Sequence, residues 1–410
     1  MRVLVICPHF DPDPAPTAVV MTEIVHRVAE QGHEVEIVTS LPWYTEHEVE
    51  PEWRGRLWRT ERTVWGRVTR VHPFPTDKRN IPARALGFAG FTGLAGLLLL
   101  LRRRRPDVVL AMSPPLTLGL PAWVTARVRR VPFVFNVQDI FPDVAVEVGA
   151  ITDPKVIGIA RWLERFIYRR ADAVTVLSDD LAENVSAKVG DDSSTRVRVI
   201  PNFVDTERIQ PSERQNSYRE DFDLGERTVV MYAGNLGFSQ PLDLVVDAAR
   251  AMSDRDDVVF VINGGGSERP RLQDLAADLD NVRFIDFQPP ERLSETLAAG
   301  DIHVIALREG LARSSVPSKL YSILAAGRPV LASIDPGTEV ERVLLTHECG
   351  VTCRPEDSAD FVETLRELLD NPDSTAAMGD RGRRFVEGWV SPVGVATAYV
   401  ELFDELRSSL

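Results

Sequence analysis

Short apolar runs alternate with longer stretches of helical spacing along the whole chain. In the first half the runs are Val3 to Cys7, Val35 to Thr39, Val108 to Ala111, Phe133 to Val137, Ala173 to Leu177 and Val197 to Ile200. Between them, Thr17 to Gln31 carries helical periodicity up to a Gly32 stop, and Lys155 to Arg170 is a second helical stretch. Buried runs of this length between longer helices predict a parallel sheet covered on both faces.

The series breaks at a polar stretch, Asp205 to Arg227, and then restarts. Thr228 to Tyr232, Val258 to Ile262, Val282 to Ile285, Ile302 to Ala306, Pro329 to Ala332 and Val351 to Cys353 predict a second sheet of the same kind. Two doubly wound domains follow, over residues 1–204 and 205–385. The last helical segments, about 374 to 387 and 392 to 408, add no strand, so residues 386–410 are expected to cross back to the first domain. Ligands of open parallel sheets bind outside the carboxyl ends of the strands, and two such sheets facing each other would make a cleft.

Composition narrows the class. The 410 residues are 44% hydrophobic and 26% charged, which excludes a disordered or collagen-like chain, and three cysteines cannot staple a large secreted protein. Met1-Arg2 runs directly into an apolar strand, so no signal peptide is expected and a reducing cytoplasm is the expected setting. The net charge of −14 divides into +2 up to Ile200 and −16 beyond it. A chain with this acid excess is a poor nonspecific nucleic-acid binder, so no nucleic-acid partner is expected.

Candidate chemistry lies in two glycine loops and one short helix of the second half. Tyr232-Ala233-Gly234-Asn235-Leu236-Gly237 leaves a strand and precedes a helix beginning near Pro241. Asn263-Gly264-Gly265-Gly266-Ser267 leaves the next strand and enters the helix that includes Arg271. Each alone is equally a tight strand-to-helix turn. Together they favour a nucleotide diphosphate, because glycine lets backbone amides approach an anion. Neither loop is GxGxxG or a P-loop, which argues against a dehydrogenase or an ATPase. In Val316-Pro317-Ser318-Lys319-Leu320, proline opens a helix that Gly327 closes, which puts Ser318 and Lys319 at its positive end and Lys319 in reach of a phosphate. His347, Cys349 and Cys353 fit no zinc spacing, and His303 sits in an apolar run as a core histidine would.

Five motifs in order carry a resemblance. They are Pro8-His9-Phe10-Asp11-Pro12 with Gly32-His33-Glu34-Val35, then Val137-Gln138-Asp139-Ile140-Phe141-Pro142-Asp143, then Val199-Ile200-Pro201-Asn202-Phe203-Val204-Asp205, then Tyr232 to Gly237, and the Pro317-Ser318-Lys319 helix. Over essentially its whole length the chain resembles the large retaining glycosyltransferase family 4, in its polysaccharide-biosynthesis branch. The resemblance implies the GT-B fold, two Rossmann-like α/β domains facing a central cleft. It implies transfer of a hexose or N-acetylhexosamine from a nucleotide diphosphate sugar, UDP-linked, to a lipid-linked or polysaccharide acceptor. No cofactor and no metal are expected, the nucleotide sugar being a co-substrate.

Such a transfer builds negative charge on the leaving phosphate, so amides and a cation are the groups it needs. Donor contacts are expected from Gly234, Asn235, Leu236, Gly237, Gly264, Gly265, Arg271, Ser318, Lys319 and Leu320, and acceptor contacts from His9 and Asp139. Catalysis is expected from Asp139 and Lys319, although Asp139 is equally placed to cap a turn. Asp179-Asp180 and Asp191-Asp192 read as a helix start and a polar loop, not as metal-holding pairs. Two features depart from the family. A glutamate pair separated by seven residues corresponds here to Ser314 and Ser322, and the first loop reads Ala15-Pro16-Thr17-Ala18 where many members carry glycines.

Ala85 to Leu101 is apolar on nearly every face, and Arg102, Arg103, Arg104 and Arg105 follow it. It is shorter than the roughly 20 residues a spanning helix needs. The expectation is a helix lying in the membrane interface through Phe88, Phe91, Leu97 and Leu101 with the four arginines, at the inner face of the cell membrane. An acceptor on a polyprenyl diphosphate fits that placement; a fully buried helix is the alternative. Trp43-Tyr44 through Trp53, Trp58 and Trp65 supply rings for a sugar or the interface, or form a loop packed on the first domain. A nucleotide-sugar epimerase on the same fold and a catalytically impaired glycan-binding subunit remain as other functions.

Overall fold

The computed structural model describes residues 1–44, 48–75, 81–190, 197–388 and 391–409; Asp191-Asp192 lie outside them. The chain divides into one unit of Met1–Asn202 with Ser391–Leu410 and a second of Phe203–Val390.

The first unit is built on β1 (Arg2–Ile6), β2 (Glu34–Ser40), β3 (Trp58–Thr63), β4 (Gly66–Val71), β5 (Val108–Ser113), β6 (Phe133–Val137), β7 (Ala173–Val176) and β8 (Val197–Val199). Their order across the sheet is β3-β4-β2-β1-β5-β6-β7-β8. Only β3 is antiparallel to its neighbour. β1 lies between β2 and β5, with Val3 opposite both Val35 and Val108. Because helices cover both faces, Val3 to Ile6 are all buried, which is why this strand is continuously apolar rather than alternating. The chain leaves β1 toward β2 and later resumes at β5 on the other side, so the loops after β1 and β5 border the crevice where such sheets bind ligands.

The β3–β4 hairpin does not show in the apolar pattern. β3 reads WRTERT and is largely exposed, because an edge strand has little to bury and so carries no apolar run. Part of the tryptophan-rich stretch is therefore sheet edge, not loop.

The C-terminal helix Pro392–Ser408 packs on the helix Pro16–Glu30 within the first unit and buries Val395, Ala396, Tyr399, Leu402 and Phe403. Tyr399 reaches into the sheet. The Asn136 amide donates to its hydroxyl (2.8 Å) and to Thr175 (3.1 Å), Gln138 donates to Asn136 (2.8 Å), and Asn202 donates to Gln138 (2.9 Å). This buried polar chain joins the last helix, β6, β7 and the residue at which the first unit ends. On the other face, the helices Ile81–Leu101, Gly119–Arg129, Pro154–Arg170 and Asp179–Val189 lie side by side, as right-handed crossovers dictate. Asp179 and Asp180 occupy the first turn of the last of these, after a Ser178 cap.

The second unit contains β9 (Thr228–Ala233), β10 (Val258–Asn263), β11 (Val282–Ile285), β12 (Ile302–Ala306), β13 (Val330–Ser333) and β14 (Gly350–Cys353). All are parallel, in the order β11-β10-β9-β12-β13-β14. Its switch point lies between β9 and β12, so the loop after β9 is the one that a crevice ligand would meet. Tyr232, Phe260, Ile262, Phe361 and Leu365 fill its largest core.

Replacing Tyr399 with Ala removes a wholly buried ring and one of the two acceptors of the Asn136 amide, leaving it Thr175 alone. The first unit should lose about 3–5 kcal/mol, measured by denaturant unfolding.

Candidate active site

The two glycine loops of the second unit are locked to each other. The Gly234 amide donates to Asn263 O (2.9 Å), the Leu236 amide to Gly265 O (2.9 Å) and the Glu268 amide to Leu236 O (3.0 Å). Gly234, Gly264 and Gly266 have φ of +144°, +146° and +154°, which side chains rarely adopt. A side chain at Gly264 would collide with the Gly234 carbonyl, and one at Gly266 with that of Leu236. This geometry revises the expectation that the amides of residues 234–237 cradle a phosphate. The Gly237 amide donates to the Gln240 side chain (3.2 Å), so three of those four amides are already spent within the protein. The Asn235 amide has no protein acceptor among the described residues, while its carbonyl accepts from the Tyr232 hydroxyl (2.7 Å).

Lys319 is brought to these loops from the other side of the sheet's switch point. It begins the helix Lys319–Ala325, and its ammonium lies over the Tyr232 ring, 3.7 Å from the centroid. The space it uses is that of the missing side chain of Gly234, whose Cβ would fall 2.7 Å from Nζ. Among the described residues no carboxylate pairs with it. The residue keeps partial access to solvent, but its ammonium is surrounded by protein, and that desolvation lowers its pKa to about 7. A cation held at a sheet's carboxyl edge, with a ring beneath it and no counter-ion, is arranged to receive an anion.

Other expected donor residues serve the framework. Leu236 and Leu320 are fully buried, so their side chains are core. Arg271 is held by both oxygens of Asp243 (2.7 and 2.9 Å) and by Glu268 (2.7 Å), which raises its pKa and commits its guanidinium to carboxylates of the protein. Gly265 faces the exposed Phe287 ring, at 3.5 Å from its would-be Cβ. Ser318 is exposed at the cap position of the Lys319 helix, without a capping bond. Ser314 is fully buried and Ser322 partly so. His303 is fully buried, bonded through Nε2 to Leu297 O (2.8 Å), and burial lowers its pKa to about 4. Cys349 and Cys353 are buried free thiols, and among the described residues no three His, Cys, Asp or Glu side chains gather as metal ligands would.

In the first unit, His9 follows β1 at the switch point. Its Nδ1 pairs with Asp13 at 2.6 Å, and Asp13, 3% exposed, also accepts from the Tyr44 amide (3.2 Å). The imidazole stacks on Trp43 (5.6 Å) and meets Tyr44 edge-on (5.5 Å). The loop is braced from below by buried Arg70, which donates to the Phe10 and Asp11 carbonyls, and by Ser40, which donates to Pro8 O (2.6 Å). Sequence reasoning misses Asp13 and Arg70; the spacing of His9 and Asp13 is visible in the sequence, but nothing there shows that a loop folds one back on the other. Asp139 is half-buried just after β6, where the Gln138 amide donates to Ser113 O (3.1 Å) and ties the exits of β5 and β6 together.

Comparison with known proteins agrees with this layout. Residues 17–202 match the family model described as a glycosyl transferase 4-like domain, and residues 227–371 match that described as glycosyl transferases group 1. The colanic acid biosynthesis glycosyl transferase WcaI of Escherichia coli is 27% identical over 382 residues, 90% of this chain and 92% of its own. The chain belongs to glycosyltransferase family 4. Solved GT-B structures share the fold across the full length: a sucrose-phosphate synthase from Thermosynechococcus elongatus superposes with a TM-score of 0.77 at 16% identity, covering 100% of both chains. HepE of Anabaena, solved in complex with UDP-glucose, gives a TM-score of 0.70 at 14% identity, again covering 100% of both. The protein is thus a glycosyltransferase of glycan biosynthesis.

One expectation about this glycosyltransferase needs correction. The helix Ile81–Leu101 turns Phe91, Ala95 and Leu99 into the core, so Phe91 faces protein, not membrane. Arg102 is partly buried, bonded to Glu36 and to Thr69 (3.0 Å), and Arg104 pairs with Glu34 (3.0 Å). Phe88 is half-buried, whereas Leu97, Leu100, Leu101, Arg103 and Arg105 are exposed. The helix is neither wholly buried nor wholly free. Among the described residues no helix is long and apolar enough to cross a membrane.

Gly264→Ala should destabilise the second unit by about 2 kcal/mol or more, through both positive φ and collision with the neighbouring loop. Thermal unfolding of the variant measures it.

Proposed function

We propose that this glycosyltransferase moves a hexose or N-acetylhexosamine, with retention, from a UDP-sugar to a lipid-linked or polysaccharide acceptor of the cell surface. The single observation that carries the reading is Lys319 at the end of β9, its amine over the Tyr232 ring and paired with no carboxylate among the described residues. A nucleoside diphosphate would supply the anion that this cation lacks, and the free Asn235 amide would add a second donor to it. HepE, the relative solved with UDP-glucose, supports the choice of UDP.

In this reading the second unit holds the donor and the first the acceptor. As the bond from sugar to phosphate breaks, positive charge grows on the sugar carbon and negative charge on the diphosphate. Lys319 stabilises the latter and so lowers the barrier without a metal ion. Retention follows when the acceptor hydroxyl attacks from the side the phosphate leaves, its proton passing to the departing phosphate oxygen. His9, fixed by Asp13 and stacked on Trp43, would orient the acceptor through its second ring nitrogen, and Asp139 would steady the cationic sugar. The acceptor's lipid carrier would hold the enzyme at the inner face of the cell membrane as a peripheral protein.

An epimerase would need acid and base groups on both faces of one sugar carbon. The second unit gathers no described carboxylate at Lys319, which favours transfer.

A thermal-shift series with UDP, GDP and dTDP tests the donor: UDP should raise the melting temperature most, and Lys319→Ala should abolish the shift. In transfer assays with UDP-sugars and a polyprenyl-diphosphate glycan, the same variant should lose about 10²-fold in turnover, comparable with losing one preorganised donor. EDTA should leave wild-type turnover nearly intact. An absolute requirement for Mg²⁺ or Mn²⁺, or full activity in Lys319→Ala, would overturn the reading.

A further inference from the structure

The outward side of one helix layer in the first unit has features that transfer chemistry does not use. On the helix Pro154–Arg170, Val156, Ile159 and Trp162 recur every third residue and are exposed, Ile159 by 67% and Trp162 by 58%. Lys155, Arg161, Arg165, Arg169 and Arg170 are exposed around them. The helix's one acid, Glu164, turns inward and pairs with Lys188 at 2.6 Å. Its outward face is therefore apolar and cationic with no carboxylate of its own.

Two neighbouring helices extend this face. Trp123 of Gly119–Arg129 meets Phe166 edge-on at 5.2 Å, and the Arg170 guanidinium covers both rings, which fixes the two helices together. Arg127, Val128 and Arg130 are exposed at the end of that helix. Arg105 donates to Arg130 O (2.8 Å) and so draws in the end of Ile81–Leu101, with exposed Leu97, Leu100 and Leu101. In a chain of net charge −14, a basic surface studded with a tryptophan, an isoleucine and leucines is a local exception.

We propose that this three-helix face docks on an anionic lipid bilayer, with Ile159 and Trp162 entering the interface and the arginines meeting lipid phosphates. Both halves of the pattern are needed for that partner: the apolar stripe gives depth, and the cationic rim gives charge complementarity. A nucleic acid would use the arginines and leave the exposed leucines and isoleucine without a role. The inference rests on the membrane-carried acceptor proposed above, and it locates the contact on Pro154–Arg170 as well as on Ile81–Leu101.

Co-sedimentation of the whole protein with vesicles of phosphatidylcholine, alone or mixed with phosphatidylglycerol, tests it. Wild type should bind the mixed vesicles and release in high salt. Ile159→Gln should weaken that binding severalfold at an unchanged melting temperature, since that side chain is already exposed. Adding Trp162→Gln should bring the loss to roughly tenfold or more, with a small fall in melting temperature because Trp162 also stacks on Phe166 (5.5 Å). Arg161, Arg165 and Arg169 changed together to Gln should weaken it by roughly a hundredfold and leave binding to neutral vesicles alone. The native cysteines are buried, so an environment-sensitive dye on Ile159→Cys reports this one position, and its emission should shift blue on mixed vesicles. If wild type binds vesicles while the Ile159 and Trp162 variant binds equally and the dye does not shift, this face is wrong and the membrane-carried acceptor stands. If wild type binds no vesicles, or the face captures only a protein or nucleic acid, the docking proposal fails; the membrane-carried acceptor, whose carrier these vesicles lack, stands or falls separately with the transfer assay on the polyprenyl-diphosphate glycan.

Discussion

A desolvated lysine amine with no carboxylate partner among the described residues is the constraint around which the second unit is arranged. Burying a cation in this way is unfavourable, and Lys319 relieves part of the cost over the face of Tyr232. The rest is not relieved by any described carboxylate. Keeping Nζ in that place requires glycine at 234, and keeping Gly234 in its conformation requires glycine at 264, because the two loops touch backbone to backbone. Two glycines, one ring and one lysine are thus coupled, and the coupling makes the loops a rigid seat rather than a flexible cradle. The amides that such a loop offers in other settings are here bonded to its neighbour, which leaves more of the electrostatic work to the lysine.

The first unit solves a different problem. Its acceptor-side residues sit on loops, and loops are mobile unless something fixes them. Here buried Arg70 and Ser40 hold the carbonyls of the loop after β1, while Asp13 holds His9. The loop after β6 is held by the chain of side-chain amides from Tyr399 to Asn202. The C-terminal helix is therefore part of the first sheet's support, although it follows the entire second unit in sequence. Rigid support of this kind is what positions reacting groups without reorganisation at the moment of transfer.

Much of the fold is legible in the sequence because parallel strands buried on both faces must be apolar throughout. β6, β11 and β12 have the limits that their apolar runs set. The edge strand β3 escapes such a reading because WRTERT buries almost nothing. Lys319 can be found from a proline-started helix entering a strand, a local signal. The locking of Gly234 to Gly264 cannot, since it depends on two loops separated in sequence meeting in space. Arg271 misleads for the same reason: its position suggests a phosphate partner, but Asp243, on a different helix, already occupies it. The run of leucines before Arg102 is ambiguous because apolar residues all round a helix do not say which stripe the sheet takes; the structure gives Phe91, Ala95 and Leu99 to the core and leaves Leu97 and Leu101 outside.

Proton uptake on binding UDP tests the central claim most directly. Burial lowers the Lys319 pKa to about 7 against an ordinary 10.5, so well above pH 7 the free protein holds it largely neutral. A bound diphosphate favours the charged form and must raise that pKa, so binding in this range draws a proton from the buffer. Calorimetry at pH 8 in buffers of different ionisation enthalpy should show uptake approaching one proton per UDP in wild type and almost none in Lys319→Met. Uptake unchanged by that substitution, or tight UDP binding with no proton exchanged in either protein, would contradict the account.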